Sequence, residues 1–172
     1  MDATMQTTTL IPGPVVPIPA LGITPVKAMT RKKILVVDDN VVIQKMLSMK
    51  LKISGYDVLI AADGGTAVST VRTQKPDLVL LDISFPPDVA HGGGVAWDGF
   101  LIMDWLRRID GAAHIPIIVI TGGDPDKLKA RSLAAGAVAF FHKPIDNSEL
   151  LAAIRHALGE DSTPAASAPA PQ

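Results

Sequence analysis

Four apolar residues, Leu78-Val79-Leu80-Leu81, run without a break into a carboxylate, Asp82. Such a run describes a strand covered on both faces, the usual condition of strands in a parallel sheet. The residue that follows emerges at the carboxyl edge of the sheet, where open α/β folds hold their ligands. A second run, Ile34-Leu35-Val36-Val37, ends in the same way on Asp38-Asp39. Side by side, the two strands would gather Asp38, Asp39 and Asp82 at one edge. Carboxylates that close repel one another strongly, so the pattern asks for a cation.

Around these strands the sequence alternates strand and helix. Asn40 can cap a helix with Ile43, Met46, Leu47 and Leu51 at helical spacing, and Gly55 ends it. Tyr56 to Ala61 reads as a second strand nearer an edge, and Asp63 caps a short helix carrying Ala67, Val68 and Val71. Pro76-Asp77 turns into the strand that delivers Asp82. A helix from about Gly99 to Arg108 follows, then a strand from Ile115 to Ile120 ending on Thr121. Asp124-Pro125 opens a helix that Gly136 closes, and Ala137 to His142 is a fifth strand ending in Lys143-Pro144. Asp146 and Glu149 form a capping-box-like pair for a last helix with Leu150, Leu151, Ile154 and Leu158, stopped by Gly159. This alternation implies an α/β fold with a parallel sheet between two helical layers.

The ends carry little patterning. Residues 1–30 read as a disordered, Pro-rich arm, residues 31–159 as the folded domain, and residues 160–172 as a disordered Ala/Pro tail. Pro12, Pro14, Pro17, Pro19 and Pro25 interrupt the apolar segment from Leu10 to Val26, and no basic region precedes it. Neither a spanning helix nor a signal peptide is therefore expected there. A net charge of −1 gives no global field for nucleic acid or a membrane surface. The absence of cysteine excludes disulfides and thiol catalysis. One core is easily supplied by an apolar fraction of 48%.

The first polar residue after each central run is then Asp38 (with Asp39), Asp82, Thr121 or Lys143. Acids with one hydroxyl and one lysine suit a divalent cation and a phosphoryl group, and all-oxygen ligands favour Mg2+ or Mn2+. A carboxylate beside such a cation can act as nucleophile and form an acyl phosphate. Thr121 can donate to one phosphoryl oxygen and Lys143 can neutralise another.

With Val36-Val37-Asp38-Asp39-Asn40, Asp63-Gly64, Leu80-Leu81-Asp82, Ile120-Thr121-Gly122, Ala135-Gly136-Ala137 and Lys143-Pro144 in this order, the chain resembles the receiver domain of bacterial two-component response regulators. The likeness covers roughly Lys32 to Leu158. It implies a doubly wound (βα)5 flavodoxin-like three-layer sandwich with parallel strand order 2-1-3-4-5. It further implies that Asp82 accepts a phosphoryl group from a histidine kinase. Asp39, Asp82 and the backbone carbonyl of Ser84 would hold Mg2+ directly, and Asp38 mainly through water. Thr121 would be the switch hydroxyl, Phe140 the switch aromatic, and Lys143 the partner of phosphorylated Asp82, with Pro144 following a cis peptide bond. Ser84 and Gly123 would stand at two positions that influence hydrolysis of the acyl phosphate.

The resulting expectation is a cytoplasmic, stand-alone receiver in a phosphorelay. Its partners would be a sensor histidine kinase or phosphotransfer protein and a downstream protein target, with no direct DNA binding and no membrane. It would be a monomer or a phosphorylation-dependent homodimer, and no enzyme beyond its own phosphorylation and dephosphorylation. One alternative is a phosphorylation-independent docking scaffold, which nothing in the residues favours. An aspartyl-nucleophile phosphatase wants Asp-x-Asp after the first strand, and Asn40 stands where the second aspartate belongs. Flavodoxin-like electron transfer wants a Ser/Thr/Gly phosphate cradle after that strand, and none is there. The bland readings are a solvated loop for His91 and a solvated helix face for Lys127, Lys129 and Arg131. The glycine-rich stretch between Asp82 and Asp98, which holds Pro87, His91 and Trp97, is longer than the family's usual loop. This insertion, residues 86–97, is expected to act as a partial lid over the site.

Overall fold

The computed structural model describes residues 31–84 and 99–160. The N-terminal arm, the tail after Glu160, and the glycine-rich loop with His91 and Trp97 lie outside them. The elements run β1 (Lys33–Val37), α1 (Val41–Ile53), β2 (Asp57–Ala61), α2 (Gly64–Gln74), β3 (Leu78–Leu81), α3 (Gly99–Arg108), β4 (Ile117–Thr121), α4 (Pro125–Ala134), β5 (Ala139–His142) and α5 (Asn147–Ala157). All strand pairs are parallel, in the order β2-β1-β3-β4-β5. The expected fold is the observed one.

The apolar runs explain the layering. Alternate residues of a strand face opposite sides of the sheet. Leu35, Val37, Val79, Leu81, Ile117 and Val119 pack against α2 and α3 through Ala67, Val71, Ile102, Met103 and Leu106, with Leu128 of α4 alongside. Ile34, Val36, Leu78, Leu80, Ile118 and Ile120 pack instead against α1 and α5 through Leu47, Leu51, Leu150 and Ile154. No residue of β3 is more than 1% exposed. Each side chain so buried contributes about 1.5–3 kcal/mol, which is why a strand without polar residues belongs in the middle of the sheet.

The capping residues act as their types dictate. Asn40 Oδ1 accepts from the Val42 and Ile43 amides at 2.9 and 3.4 Å. Asp63 accepts from the Thr66 amide at 2.7 Å, Asp124 from Asp126 at 3.1 Å, and Asp146 from Ser148 and Glu149 at 2.8 and 3.0 Å. Three strands begin later than the sequence pattern predicts, because the preceding turn claims the first amides. The Tyr56 amide donates back to Leu51, Ile115 to Ala112, and Ala137 to Ser132. Pro116 has no amide to offer at all. Glu160 returns to the folded body, its amide donating to Arg155 and its carboxylate accepting from the Tyr56 hydroxyl at 2.7 Å.

Asp77, just before β3, ties the amino ends of two strands together. Its carboxylate accepts from the Lys33 amide at 2.8 Å and pairs with the Lys32 ammonium at 2.9 Å. Burial works against the charged form, but the Lys33 amide and the nearby Lys32 outweigh it and hold the carboxyl below its usual range. A depressed carboxyl pKa contributes stability above the unfolded-state value, and the contribution is lost as pH falls through the folded-state value. Asp77→Asn is expected to cost about 1 kcal/mol at pH 7, and less at a pH well below the usual carboxylate range. Urea unfolding of both proteins at the two pH values measures this. An equal gap at both would refute it.

Candidate functional site

Three of the expected site residues are held by the strand beside them. The Asp38 amide donates to Ala61 at 3.1 Å, Asp82 to Val37 at 2.8 Å, and Lys143 to Thr121 at 2.8 Å. The ladder thus carries one residue past the ends of β1, β3 and β5 and lines these positions up at one edge. Asp38 and Asp82 sit at the boundary between β1 and β3, where the chain's winding reverses direction. This is the topological switch point at which doubly wound sheets open a crevice.

The side chains converge there. Carboxylate oxygens of Asp38, Asp39 and Asp82 all lie within 4.8 Å of one another. Asp38 is 2% exposed and Asp82 6%, while Asp39 faces solvent. Lys143 reaches back over the edge, its Nζ 2.5 Å from Asp82 Oδ2 and 2.7 Å from Asp38 Oδ2. Burial opposes the lysine's charge, but its hydrogen bonds to Asp38 and Asp82 and their attraction outweigh this and raise its pKa above the ordinary value. The ammonium is therefore held charged between two acids. The Lys143–Pro144 peptide is cis, as expected.

The free oxygens of the acids are also positioned. Asp38 Oδ1 accepts from the Asn40 amide at 2.9 Å and Asp82 Oδ1 from the Ser84 amide at 2.7 Å. Thr121 is fully buried, accepts from the Gly123 amide at 3.2 Å, and its hydroxyl is bonded to that of Ser84. Phe140, half-buried, packs on the α2/α3 side of the sheet, and Phe141 on the α1/α5 side. Gly99 opens α3 so close to Ile83 that a Cβ would stand 2.4 Å from the Ile83 Cα. Only glycine lets α3 start against the residue that follows Asp82.

One contributor escaped the sequence reading, and another acts through an additional group. Gln44 donates through its side-chain amide to the Asp38 carbonyl at 2.5 Å and is 8% exposed. Its signal was available: it stands four residues after the Asn40 cap, beside Ile43 and Leu47 on the helix face that meets the sheet. Ser84 was expected to act through its backbone, and its hydroxyl turns out to engage Thr121. Nothing in a lone serine at the start of a loop announces such a partner. Among the described residues, no helix is long and apolar enough to cross a membrane.

Set against known proteins, residues 34–155 match the response regulator receiver domain family model. A probable transcriptional regulator, ycf27, of Porphyridium aerugineum is 35% identical over 130 residues, 76% of this chain and 49% of that protein. The DNA-binding dual master transcriptional regulator RpaA of Synechocystis is 32% identical over 123 residues, 72% of this chain and 47% of that protein. The chain thus spans about half the length of the curated relatives it matches. Because both relatives are named as transcriptional regulators, the expectation of a stand-alone receiver that makes no contact with DNA gains no support from them. Among solved structures, a CheY-like receiver domain protein of Methanospirillum hungatei JF-1 superposes with a TM-score of 0.65 at 28% identity, covering 76% of this chain and 96% of that one. The receiver domain of the sensor histidine kinase PA1611 of Pseudomonas aeruginosa PAO1 also scores 0.65, at 28% identity, over 76% of this chain and 99% of that one. That domain carries a magnesium ion coordinated in its active-site cleft.

Proposed function

Because the chain belongs to the response regulator receiver domain family, we propose that it accepts a phosphoryl group on Asp82 from a histidine kinase or phosphotransfer protein. The observation that carries this reading is the buried Asp82 carboxylate, flanked by Asp38 and Asp39 and contacted by Lys143 at 2.5 Å. In the transfer, an Asp82 oxygen attacks phosphorus, the phosphorus–nitrogen bond of the phosphohistidine breaks, and the imidazole nitrogen leaves with the electron pair. In hydrolysis, water attacks the same phosphorus, and the phosphorus–oxygen bond breaks to return the carboxylate and inorganic phosphate.

The donor set fits a divalent cation. Three carboxylates against one ammonium leave two formal negative charges, and hard oxygen ligands suit Mg2+, or Mn2+. Asp39, Asp82 and the Ser84 carbonyl would hold it, with Asp38 contributing through water. Mg2+ supplies neutralisation of phosphoryl oxygens and a template for the incoming donor. Lys143 neutralises a further oxygen, and Thr121 donates its hydroxyl proton to another. Phe140 responds from the neighbouring strand.

On this reading the protein is a cytoplasmic signalling switch and not an enzyme of a metabolite. Its output passes through protein contact, at the face formed by α4, β5 and α5. Incubation with Mg2+ and a small labelled phosphodonor is expected to label the chain, and chelation of the metal to prevent it. Failure of every donor to label it, with metal present, would reduce the protein to a docking scaffold.

A further inference from the structure

The hydroxyl expected to act as the switch already has a partner. Thr121 Oγ1 is hydrogen-bonded to Ser84 Oγ and accepts from the Gly123 amide at 3.2 Å. A threonine hydroxyl has one proton and two lone pairs. Gly123 occupies one lone pair, and Ser84 takes either the proton or the other. Asp82 is contacted instead by the Ser84 amide and by Lys143. Ser84 therefore touches both halves of the site, the acceptor carboxylate through its backbone and the hydroxyl through its side chain.

The pairing depends on what stands at position 123. A Cβ there would lie 2.5 Å from Leu128 Cδ1 and 2.9 Å from Ser84 Oγ. Glycine leaves room for the Ser84 hydroxyl to reach Thr121 while Leu128 of α4 closes in behind. A side chain at this position would push against the serine, the leucine, or both. Ser84, beside the acid cluster, and Leu128 of α4 thus both border the space that a side chain at position 123 would need.

We propose that Ser84 is a positioning residue whose hydroxyl latches Thr121 in the unphosphorylated protein, so that Thr121 must exchange Ser84 for the phosphoryl oxygen when Asp82 is modified. This inference rests on the reading of Asp82 as acceptor. The latch sets the resting position of Thr121. Its contribution is that of one neutral hydroxyl pair, which corresponds to about a two- to tenfold bias in the switch equilibrium. A phosphoryl mimic that needs the released hydroxyl binds more weakly by the same factor.

The test uses the full chain with Mg2+ and beryllofluoride, a tetrahedral stand-in for the phosphoryl group. Affinity is measured for the wild type, Ser84→Ala and Ser84→Thr, and the Thr121 methyl resonance is followed before beryllofluoride is added. Ser84→Ala is expected to bind about two- to tenfold more tightly, with the Thr121 signal already displaced toward its liganded position. Ser84→Thr, which keeps the hydroxyl, is expected to restore both. Unchanged or weaker binding by Ser84→Ala, or tighter binding without movement of the Thr121 signal, overturns the latch alone. A wild type that takes no beryllofluoride overturns the reading of Asp82, and the latch with it.

Discussion

Asp82→Asn is expected to lower phosphoryl incorporation from a small donor by on the order of a thousandfold or more. A carboxamide is nearly the same shape as the carboxylate but is no nucleophile at neutral pH. Its oxygen can still accept from the Ser84 amide, as Asp82 Oδ1 does at 2.7 Å. Its NH2 would then face Lys143, which keeps Asp38 as an acceptor at 2.7 Å. The fold is therefore expected to survive while the chemistry is lost. Mass spectrometry of the intact protein after incubation with donor and Mg2+ measures this, with urea unfolding as the control for folding. Label persisting at wild-type level in a folded Asp82→Asn protein would move the acceptor to a neighbour, of which Asp39, facing solvent, is the more accessible.

The second large effect concerns the strand that delivers this residue. Leu81 is fully buried, stands opposite Val37 of β1 and Val119 of β4, and packs on the α2/α3 side. Leu81→Ala removes most of a side chain where strands on both sides prevent collapse into the space. The expected cost is about 2–5 kcal/mol, a large part of the roughly 5–15 kcal/mol that stabilises a domain. Leu81→Ile, which conserves volume, should cost less than about 1.5 kcal/mol. Urea unfolding midpoints at constant m-value distinguish the two. A loss below about 1 kcal/mol for Leu81→Ala would mean that the site rests on a looser support than the packing describes.

Much of this was legible before the fold was seen. The runs ending at Val37 and Leu81 marked buried parallel strands, since a continuous apolar run fits only a sheet covered on both sides. Asn40, Asp63, Asp124 and Asp146 marked helix starts, because a short oxygen-bearing side chain satisfies the free amides of a first turn. Strand starts were less readable. Tyr56, Ile115 and Ala137 open the apolar stretches of their strands, yet their amides close the turns before them. Propensity is a property of the side chain, whereas the competition for an amide is decided by whichever carbonyl is nearer.

The site divides along the same line. That Asp38, Asp39, Asp82, Thr121 and Lys143 belong to one edge followed from the amino-acid order alone. Each stands at or just past the carboxyl end of a strand, and parallel strands present all these ends on one side. What each side chain touches did not follow. Lys143 bridges Asp82 and Asp38 from 61 and 105 residues away, Gln44 supports the Asp38 backbone, and Ser84 reaches Thr121 across 37 residues. A repeating pattern along the chain records which face or edge a residue occupies, because that is set by local backbone geometry. Pairing across strands depends on register, on side-chain reach, and on neighbours without a side chain, such as Gly123. Only the packed tertiary structure determines these.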